Sequence, residues 1–381
     1  MSIVRAVRLL ALVRGIVKGD YERVSDLMEG LHGFPQKLGQ HLTLYGDDFD
    51  RYFEALYTKS KTEDVAIENI IDELELAPQN IEISAQASIG QVYRVTTAEG
   101  VMAVKVKYPG VEKKITSDFN TLNGLLWPTR LLPLKNSSIL PLLEHLKLML
   151  LRECDYPLEA ENQQIFYQLF KEDEEISVPE VVNYNDRALV SRWAAGRLLS
   201  ESPDSPDRWF VKTYLTFILK SLKQLGMIHT DPHPGNFIIT AVNNKRELTV
   251  LDYGSVVCFN EPEADAIRRL LLGSYDNETE LLDDLRILGV NDETLEMYRP
   301  IAGDLVSVLF EPFYYEGEYD FINWRLQYKV NTLLASKGWE KPLNIPLKLL
   351  LFLRAFQGLY FYARRNCVLF NWHDEVKKQL G

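Results

Sequence analysis

His229-Thr230-Asp231-Pro232-His233-Pro234-Gly235-Asn236, followed beyond an apolar hairpin pattern by Asp252-Tyr253-Gly254, is the stretch from which the rest of this chain is read. Asp231 supplies a carboxylate, and Asn236, five residues on, an amide oxygen that can turn back toward the same point. Asp252 brings a second carboxylate from the end of the next strand pair. Hard oxygens of this kind suit magnesium, which takes few side chains and keeps waters or phosphate oxygens for its remaining positions. Pro, Gly and Asn are also the residues of ordinary turns, so either stretch alone reads equally well as a turn. The two in order across a hairpin favour a site. His233, between two prolines, reads as a loop anchor rather than a metal ligand.

The spacing H-x-D-x-x-x-x-N with D-[FY]-G matches the catalytic and metal loops of protein-kinase-like enzymes. In that chemistry Asp231 sits beside the attacking oxygen, while Asn236 and Asp252 hold the magnesium that bridges the phosphates of ATP. N-terminal to it, Ala103-Val104-Lys105-Val106 resembles the strand whose lysine contacts the α- and β-phosphates. A lysine in an apolar strand is otherwise a snorkelling edge residue, and its place ahead of the catalytic loop gives it weight here. No G-x-G-x-x-G precedes that strand. Ser84-Ala85-Gln86-Ala87-Ser88-Ile89-Gly90-Gln91 stands there instead. Small residues such as Ala85, Ala87 and Ser88, next to Ile89, still let backbone approach a nucleotide, although alanine is stiffer than glycine.

The periodicity around these motifs outlines the fold. Residues 1–78 read as helices, with Ser60-Lys61-Thr62-Glu63 as a capping box ahead of Ile67, Ile70, Ile71 and Leu74, and Pro78 as the stop. From Ile81 the period changes, and Gly90–Val95 and Val101–Lys107 read as paired strands around Ala98-Glu99-Gly100. Residues 111–176 read as mostly helical with breaks near Pro128, Pro133 and Pro157. Ala188–Trp193 reads as a strand, Asp207–Leu225 as a helix ending on Gly226, and Phe237–Thr240 and Glu247–Leu251 as a strand pair. Beyond about residue 261 the chain reads as helical. The expectation is an α+β, two-lobed protein-kinase-like fold with a helical N-terminal extension (1–78), an N-lobe with a helical insertion (79–190) and a mostly helical C-lobe (191–381).

Bulk properties narrow the function classes. At 381 residues, with 46% apolar and 25% charged side chains, the composition is that of a globular protein. A net charge of −12 argues against nucleic acid as a partner of the whole chain. Three dispersed cysteines, Cys154, Cys258 and Cys367, make neither a disulfide framework nor a zinc site. The first nineteen residues alternate Arg5, Arg8, Arg14 and Lys18 with apolar residues. They read as an amphipathic helix, packed on its own domain or lying on an anionic membrane, rather than as a signal peptide. Residues 345–362 are apolar but carry Lys348 and Arg354, which favours a buried core helix over a membrane span. The expected location is cytoplasmic or peripheral to a membrane.

Several motifs together resemble the UbiB (AarF-domain) family of atypical protein-kinase-like proteins. They are Lys37-Leu38-Gly39-Gln40, Ala87-Ser88-Ile89-Gly90-Gln91-Val92, Lys105 with Tyr108-Pro109-Gly110-Val111, Glu153-Cys154-Asp155-Tyr156 with Glu159-Ala160 and Asn162, and the two loops quoted first. The resemblance implies that Lys105 contacts the phosphates and pairs with Glu159. It implies that Lys37 and Gln40 of the K-x-G-Q motif fold over the site as regulatory residues, with Lys37 near Glu153 of the Glu153–Asp155 E-x-D motif. Ala87 and Ser88 then lie in the loop that replaces the Gly-rich loop. Asp231 is the implied catalytic aspartate, and Asn236 and Asp252 the magnesium ligands. Tyr253 replaces the usual Phe, and Gln86 stands where an alanine is common.

Family members are linked to coenzyme Q biosynthesis and membrane lipid homeostasis, and to ATPase activity more than to protein phosphorylation. The leading expectation is therefore a magnesium-dependent ATPase or a small-molecule or lipid kinase, with lipid or quinone precursors and a membrane surface as candidate partners. The alternatives are a protein serine/threonine kinase, disfavoured by the missing Gly-rich loop, and a nucleotide-binding scaffold, disfavoured because every chemical side chain is present. The acceptor and the oligomeric state are left open by the sequence.

Overall fold

The computed structural model describes residues 65, 67–86, 89–126, 147–148, 150–201, 207–242, 245–336 and 345–381. Lys37, Gln40, the amphipathic N-terminus, the residue 60–63 capping box, Ala87 and Ser88 lie outside the described residues. The chain divides into two compact units, Met1–Gln164 with Pro179–Ala194, and Ile165–Val178 with Ala195–Gly381.

The first unit is organised by one antiparallel sheet. Helix α1 (Ile67–Glu73) is followed by β1 (Pro78–Gln86), β2 (Gly90–Thr97) and β3 (Gly100–Lys107), then by α2 (Val111–Leu126) and α3 (Tyr156–Phe170). Short strands β5 (Val181–Tyr184) and β6 (Ala188–Arg192) complete the sheet in the order β1-β2-β3-β6-β5. In β3 the alternation is clean. Met102, Val104 and Val106 are buried, while Ala103, Lys105 and Lys107 occupy the other face. Their buried face packs with Tyr93, Val95, Ala188 and Val190 against Ile67, Ile70, Ile71 and Leu74 of α1 and its end. Pro78, read as a helix stop, opens β1 instead, and the chain leaves α1 through Glu75 at φ 55°. Pro157 sits inside the first turn of α3, where its missing N–H removes no helical bond.

The second unit holds β4 (Ile176–Ser177), β7 (Arg197–Leu198), α4 (Arg208–Leu225), β8 (Met227–His229), β9 (Phe237–Val242), β10 (Lys245–Val250) and β11 (Val256–Cys258). These form a four-stranded sheet β4-β10-β9-β7 and a two-stranded ladder β11-β8. Among the described residues eight α-helices follow: α5 (Glu261–Leu272), α6 (Glu278–Ile287), α7 (Asp292–Tyr298), α8 (Ala302–Leu309), α9 (Glu311–Tyr314), α10 (Leu326–Ser336), α11 (Leu347–Arg365) and α12 (Trp372–Leu380). Among the described residues no helix is long and apolar enough to cross a membrane. Helix α11 covers the apolar run near the C-terminus, and Leu351, Phe352, Ala355, Phe356, Leu359 and Tyr362 on it are buried.

Helix α4 is the spine on which the second unit's loops hang. Phe210, Val211, Tyr214, Leu215, Phe217, Ile218 and Leu219 are fully buried, and Asp207 caps its start by accepting from Phe210 N at 3.1 Å. At the other end Gly226 takes φ 63°, and its carbonyl accepts from Phe259 N at 2.7 Å, which turns the chain into β8. A side chain there would meet strained backbone and bring Cβ to 2.7 Å from the Phe259 carbonyl oxygen. Gly226→Ala is therefore expected to destabilise the protein by about 1–3 kcal/mol in urea unfolding, whereas Gly303→Ala, a helical position with open space, should not.

Candidate functional site

In the first unit the centre is Lys105, on the less buried face of β3. Its Nζ lies 2.8 and 2.9 Å from the two carboxylate oxygens of Glu159 on α3. Glu159 is 2% exposed at its side chain and Lys105 16%, so the carboxylate is the buried member. The Tyr156 ring lies 5.4 Å from Lys105 Nζ and 5.5 Å from Lys107 Nζ, giving both cations an aromatic face. Lys107 reaches Glu112 and the Cys154 carbonyl, each at 2.7 Å.

The E-x-D residues have a visible structural task. Asp155 Oδ1 accepts from Leu158 N at 3.1 Å, and its carbonyl accepts from Glu159 N at 3.0 Å. Asp155 thus caps the helix that presents Glu159 to Lys105. Glu153 sits half-buried one turn earlier. Between them, burial and the nearby Glu112 charge push the Cys154 thiol up to about 12, so it is no nucleophile. Gln163, further along α3, donates to the Pro179 carbonyl at 2.7 Å and to Ser191 Oγ at 2.9 Å, tying the helix to the sheet side.

Of the segment expected to replace a Gly-rich loop, the described residues lie at the end of β1 and the start of β2, which pair as far as Gln86 and Gln91. Ala85 is already in β1, paired with Val92 and exposed, while Ile89 is buried and its carbonyl accepts from Tyr108 N at 3.0 Å. A Cβ at Gly90 would overlap the Val106 carbonyl, so β2 runs against β3 where only glycine fits.

In the second unit the two quoted loops are joined around His229. Fully buried, it places Nε2 2.7 Å from the Asp252 carbonyl and 3.2 Å from the Leu251 carbonyl. Both partners only accept, so Nε2 carries the proton. Burial pulls the ring's pKa down, and the neutral form leaves Nδ1 with no partner among the described residues. The ring meets Tyr253 edge-on at 5.5 Å, and Tyr253 in turn packs against Phe166 at 4.9 Å. The extra hydroxyl that distinguishes Tyr253 from Phe donates to the Val250 carbonyl at 3.2 Å. Thr230 pairs with Ser255 through backbone and hydroxyl, at 2.9 and 2.8 Å. The loop is closed where Leu251 N donates to the Asn236 carbonyl at 2.8 Å. His233 Nδ1 accepts from Gly235 N at 3.0 Å, which anchors the turn.

Asp231 is 4% exposed. Its Oδ2 accepts from Asn236 Nδ2 at 2.9 Å, and Arg354 Nη2 of α11 donates to Oδ1 at 2.8 Å. Asp252 stands at φ 60°, the left-handed region, with Oδ1 accepting from Gly254 N at 3.2 Å. Asn236 Nδ2 is committed to Asp231, so its amide oxygen is the end available to a cation. Among the described residues no group of three His, Cys, Asp or Glu could cage a metal. An amide and a carboxylate oxygen fit magnesium, which draws most of its ligands from water and phosphate.

Sequence reasoning brought out Asp231, Asn236, Asp252 and Lys105, and reached Glu159 through the family resemblance. It treated Arg354 as an interruption of an apolar run. The signal was there, since a lone arginine in an apolar helix needs a buried acid, but its partner is 123 residues away.

The family model of the ABC1 atypical kinase-like domain matches residues 61–285. Among curated proteins, the chain is 32% identical to the mitochondrial atypical kinase COQ8 of Schizosaccharomyces pombe, over 70% of this chain and 43% of that one. It is 26% identical to the chloroplastic protein Activity of BC1 complex kinase 3 of Arabidopsis thaliana, over 91% of this chain and 47% of that one. The chain thus spans about half the length of these curated relatives. Among solved structures, the erythromycin complex of Rv3197 from Mycobacterium tuberculosis aligns over 96% of both chains at 20% identity with a TM-score of 0.56, a likeness of fold. With the family model matching well over half of its residues, the chain belongs to the ABC1 atypical kinase-like family, which is the UbiB family of the motifs, and has that family's kinase-like α+β fold.

Proposed function

We propose that this chain is a magnesium-dependent ATPase or a small-molecule or lipid kinase of the UbiB type, working in quinone or membrane lipid metabolism. The observation that carries this reading is the Lys105–Glu159 pair, a lysine held by both carboxylate oxygens of a buried glutamate at 2.8 and 2.9 Å. A buried pair of this kind is a poor investment in stability alone, and a fixed cation on a strand suits phosphate. Magnesium ATP, when bound, supplies an activated phosphoryl group whose charge is partly neutralised by the metal. Lys105 would hold phosphate oxygens, and Glu159 holds Lys105. Asn236 and Asp252 would hold the metal. Asp231 would orient the acceptor oxygen, with Ala85, Ala87, Ser88 and Ile89 near the nucleotide and Lys37, Gln40, Glu153 and Asp155 in regulatory positions.

The quinone or lipid part of the reading rests on the family resemblance and on relatives named as COQ8 atypical kinases. The decisive assay is phosphate release and label transfer from ATP by purified protein, with and without anionic vesicles and quinone-precursor-like phenols. Stimulated turnover with label in a lipid or phenol is the expected result. Efficient labelling of added protein substrates instead would replace the reading with an orthodox protein kinase.

Two substitutions sharpen it. Asp252→Asn should weaken nucleotide binding in magnesium by about tenfold or more while leaving magnesium-free binding unchanged; unchanged affinity in both conditions would remove Asp252 from the metal site. Lys105→Met strips the cation from a buried carboxylate and should cost about 3–5 kcal/mol in denaturant unfolding. Glu159→Gln should cost less, because Lys105, 16% exposed, can turn toward water. The double change should cost less than the sum, and additive losses would mean that the pair contributes no coupling.

A further inference from the structure

Helix α11 carries Arg354, Gly358 and Tyr362 at intervals of four, which places them along one face. All three touch the Asp231-Pro232 step. Arg354 Nη2 donates to Asp231 Oδ1 at 2.8 Å, with both side chains 5% exposed. At Gly358 a Cβ would overlap the Pro232 ring, so the ring lies directly on the helix backbone. Tyr362 donates its hydroxyl to the Pro232 carbonyl at 2.6 Å. From the other side Asn236 Nδ2 binds Asp231 Oδ2 at 2.9 Å.

We propose that α11 is the positioning element for Asp231, with Arg354, Gly358 and Tyr362 fixing the plane of its carboxylate and the backbone beneath it. This deepens the functional reading above and rests on Asp231 being the acceptor-side carboxylate. Both of its oxygens have a set direction, one toward the guanidinium and one toward the amide. A carboxylate on a flexible loop turns about its last side-chain torsion; this one is held at both ends, and the loop beneath it is clamped by a proline ring and a carbonyl. Positioning of this kind governs rate steeply, since a displacement of about 1 Å can cost on the order of 100-fold. An apolar side chain at 354 opposite an apolar one at 231 would pack the same space without burying two charges. The gain from the charged pair is therefore orientation. Arg354, Gly358 and Tyr362 are positioning residues, acting through Asp231 and Pro232.

The test uses the purified full chain and two kinds of readout. Without nucleotide, Arg354→Gln should lower the melting temperature by roughly 5–15 °C, and by clearly less when Asp231 is already Asn. Tyr362→Phe should speed amide hydrogen exchange in the 231–236 segment. With magnesium ATP, Arg354→Lys, which keeps the charge but loses the planar fork, and Tyr362→Phe should each lower kcat about 10- to 100-fold with KM for ATP within about twofold of wild type. Gly358→Ala, which pushes on Pro232, should follow the same pattern. Equal melting losses for Arg354→Gln in both backgrounds would overturn the proposal. So would wild-type kcat in Arg354→Lys and Tyr362→Phe. If the wild-type chain hydrolyses no ATP, the functional reading fails on its own, and the melting cycle with the exchange rates still decides whether α11 holds Asp231.

Discussion

A carboxylate 4% exposed, packed beside a helix as apolar as α4, exists only because something compensates its charge. For Asp231 that something is Arg354, with Asn236 on its other oxygen. Burial of one such charge alone costs several kcal/mol, and removing a single partner exposes the whole of that cost. The arginine comes from a helix whose other inward residues include Leu351, Phe352, Ala355, Phe356 and Leu359. The apolar side chains bring α11 into the core and so carry the guanidinium to the loop. Packing and electrostatics are therefore one constraint here. A shift of α11 large enough to admit a side chain at 358 beside Pro232 would also pull the guanidinium off Asp231.

The same logic governs His229. A fully buried imidazole is cheapest when neutral, and the two carbonyls at its Nε2 fix which nitrogen keeps the proton. That bond holds the Asp252 carbonyl while the Asp252 backbone adopts φ 60°, a conformation that L-residues other than Asn and Asp seldom take. His229 thus links the strand before Asp231 to the loop that carries Asp252. The contacts of Tyr253 with His229, edge-on, and with Phe166, tilted, add an apolar support to that link. The left-handed backbone at Asp252 is thus supported by the His229 hydrogen bond and by the two ring contacts of Tyr253.

How much of this was legible in the sequence follows from the range of each signal. Asp231, Asn236 and Asp252 could be read because their spacing is set locally, by a short turn and one hairpin. Lys105 could be read because strand alternation puts Met102, Val104 and Val106 on the opposite face. The strands that were missed besides β1 are short, two residues in β4 and β7, three in β8 and β11 and four in β5, and carry no usable period. Strand β1 escaped because Pro78 is a helix stop and also an acceptable first residue of an edge strand, and the sheet order places β1 at the edge. Arg354 escaped because nothing local names its partner. A tertiary ion pair has no sequence period, and only the folded chain brings residues 231 and 354 together.

The two units solve a common problem in the same way. In each, a side chain that the sequence motifs single out is paired with an opposite charge, Lys105 with the buried Glu159 and the buried Asp231 with Arg354. In each, the partner stands on a helix whose position is fixed by means unrelated to charge. For Glu159 these are the Asp155 cap and the Gln163 bonds to Pro179 and Ser191; for Arg354 they are the apolar face of α11, the Gly358 contact and the Tyr362 hydroxyl. A charge held only by its counter-charge could follow it anywhere. A charge whose partner is locked by caps, amides and packing has a direction as well as a neutraliser, and that direction is what a site for a small, highly charged ligand requires. Within its own unit each helix, α3 and α11, acts through where it holds one side chain, and the rest of the helix is the packing that keeps it there.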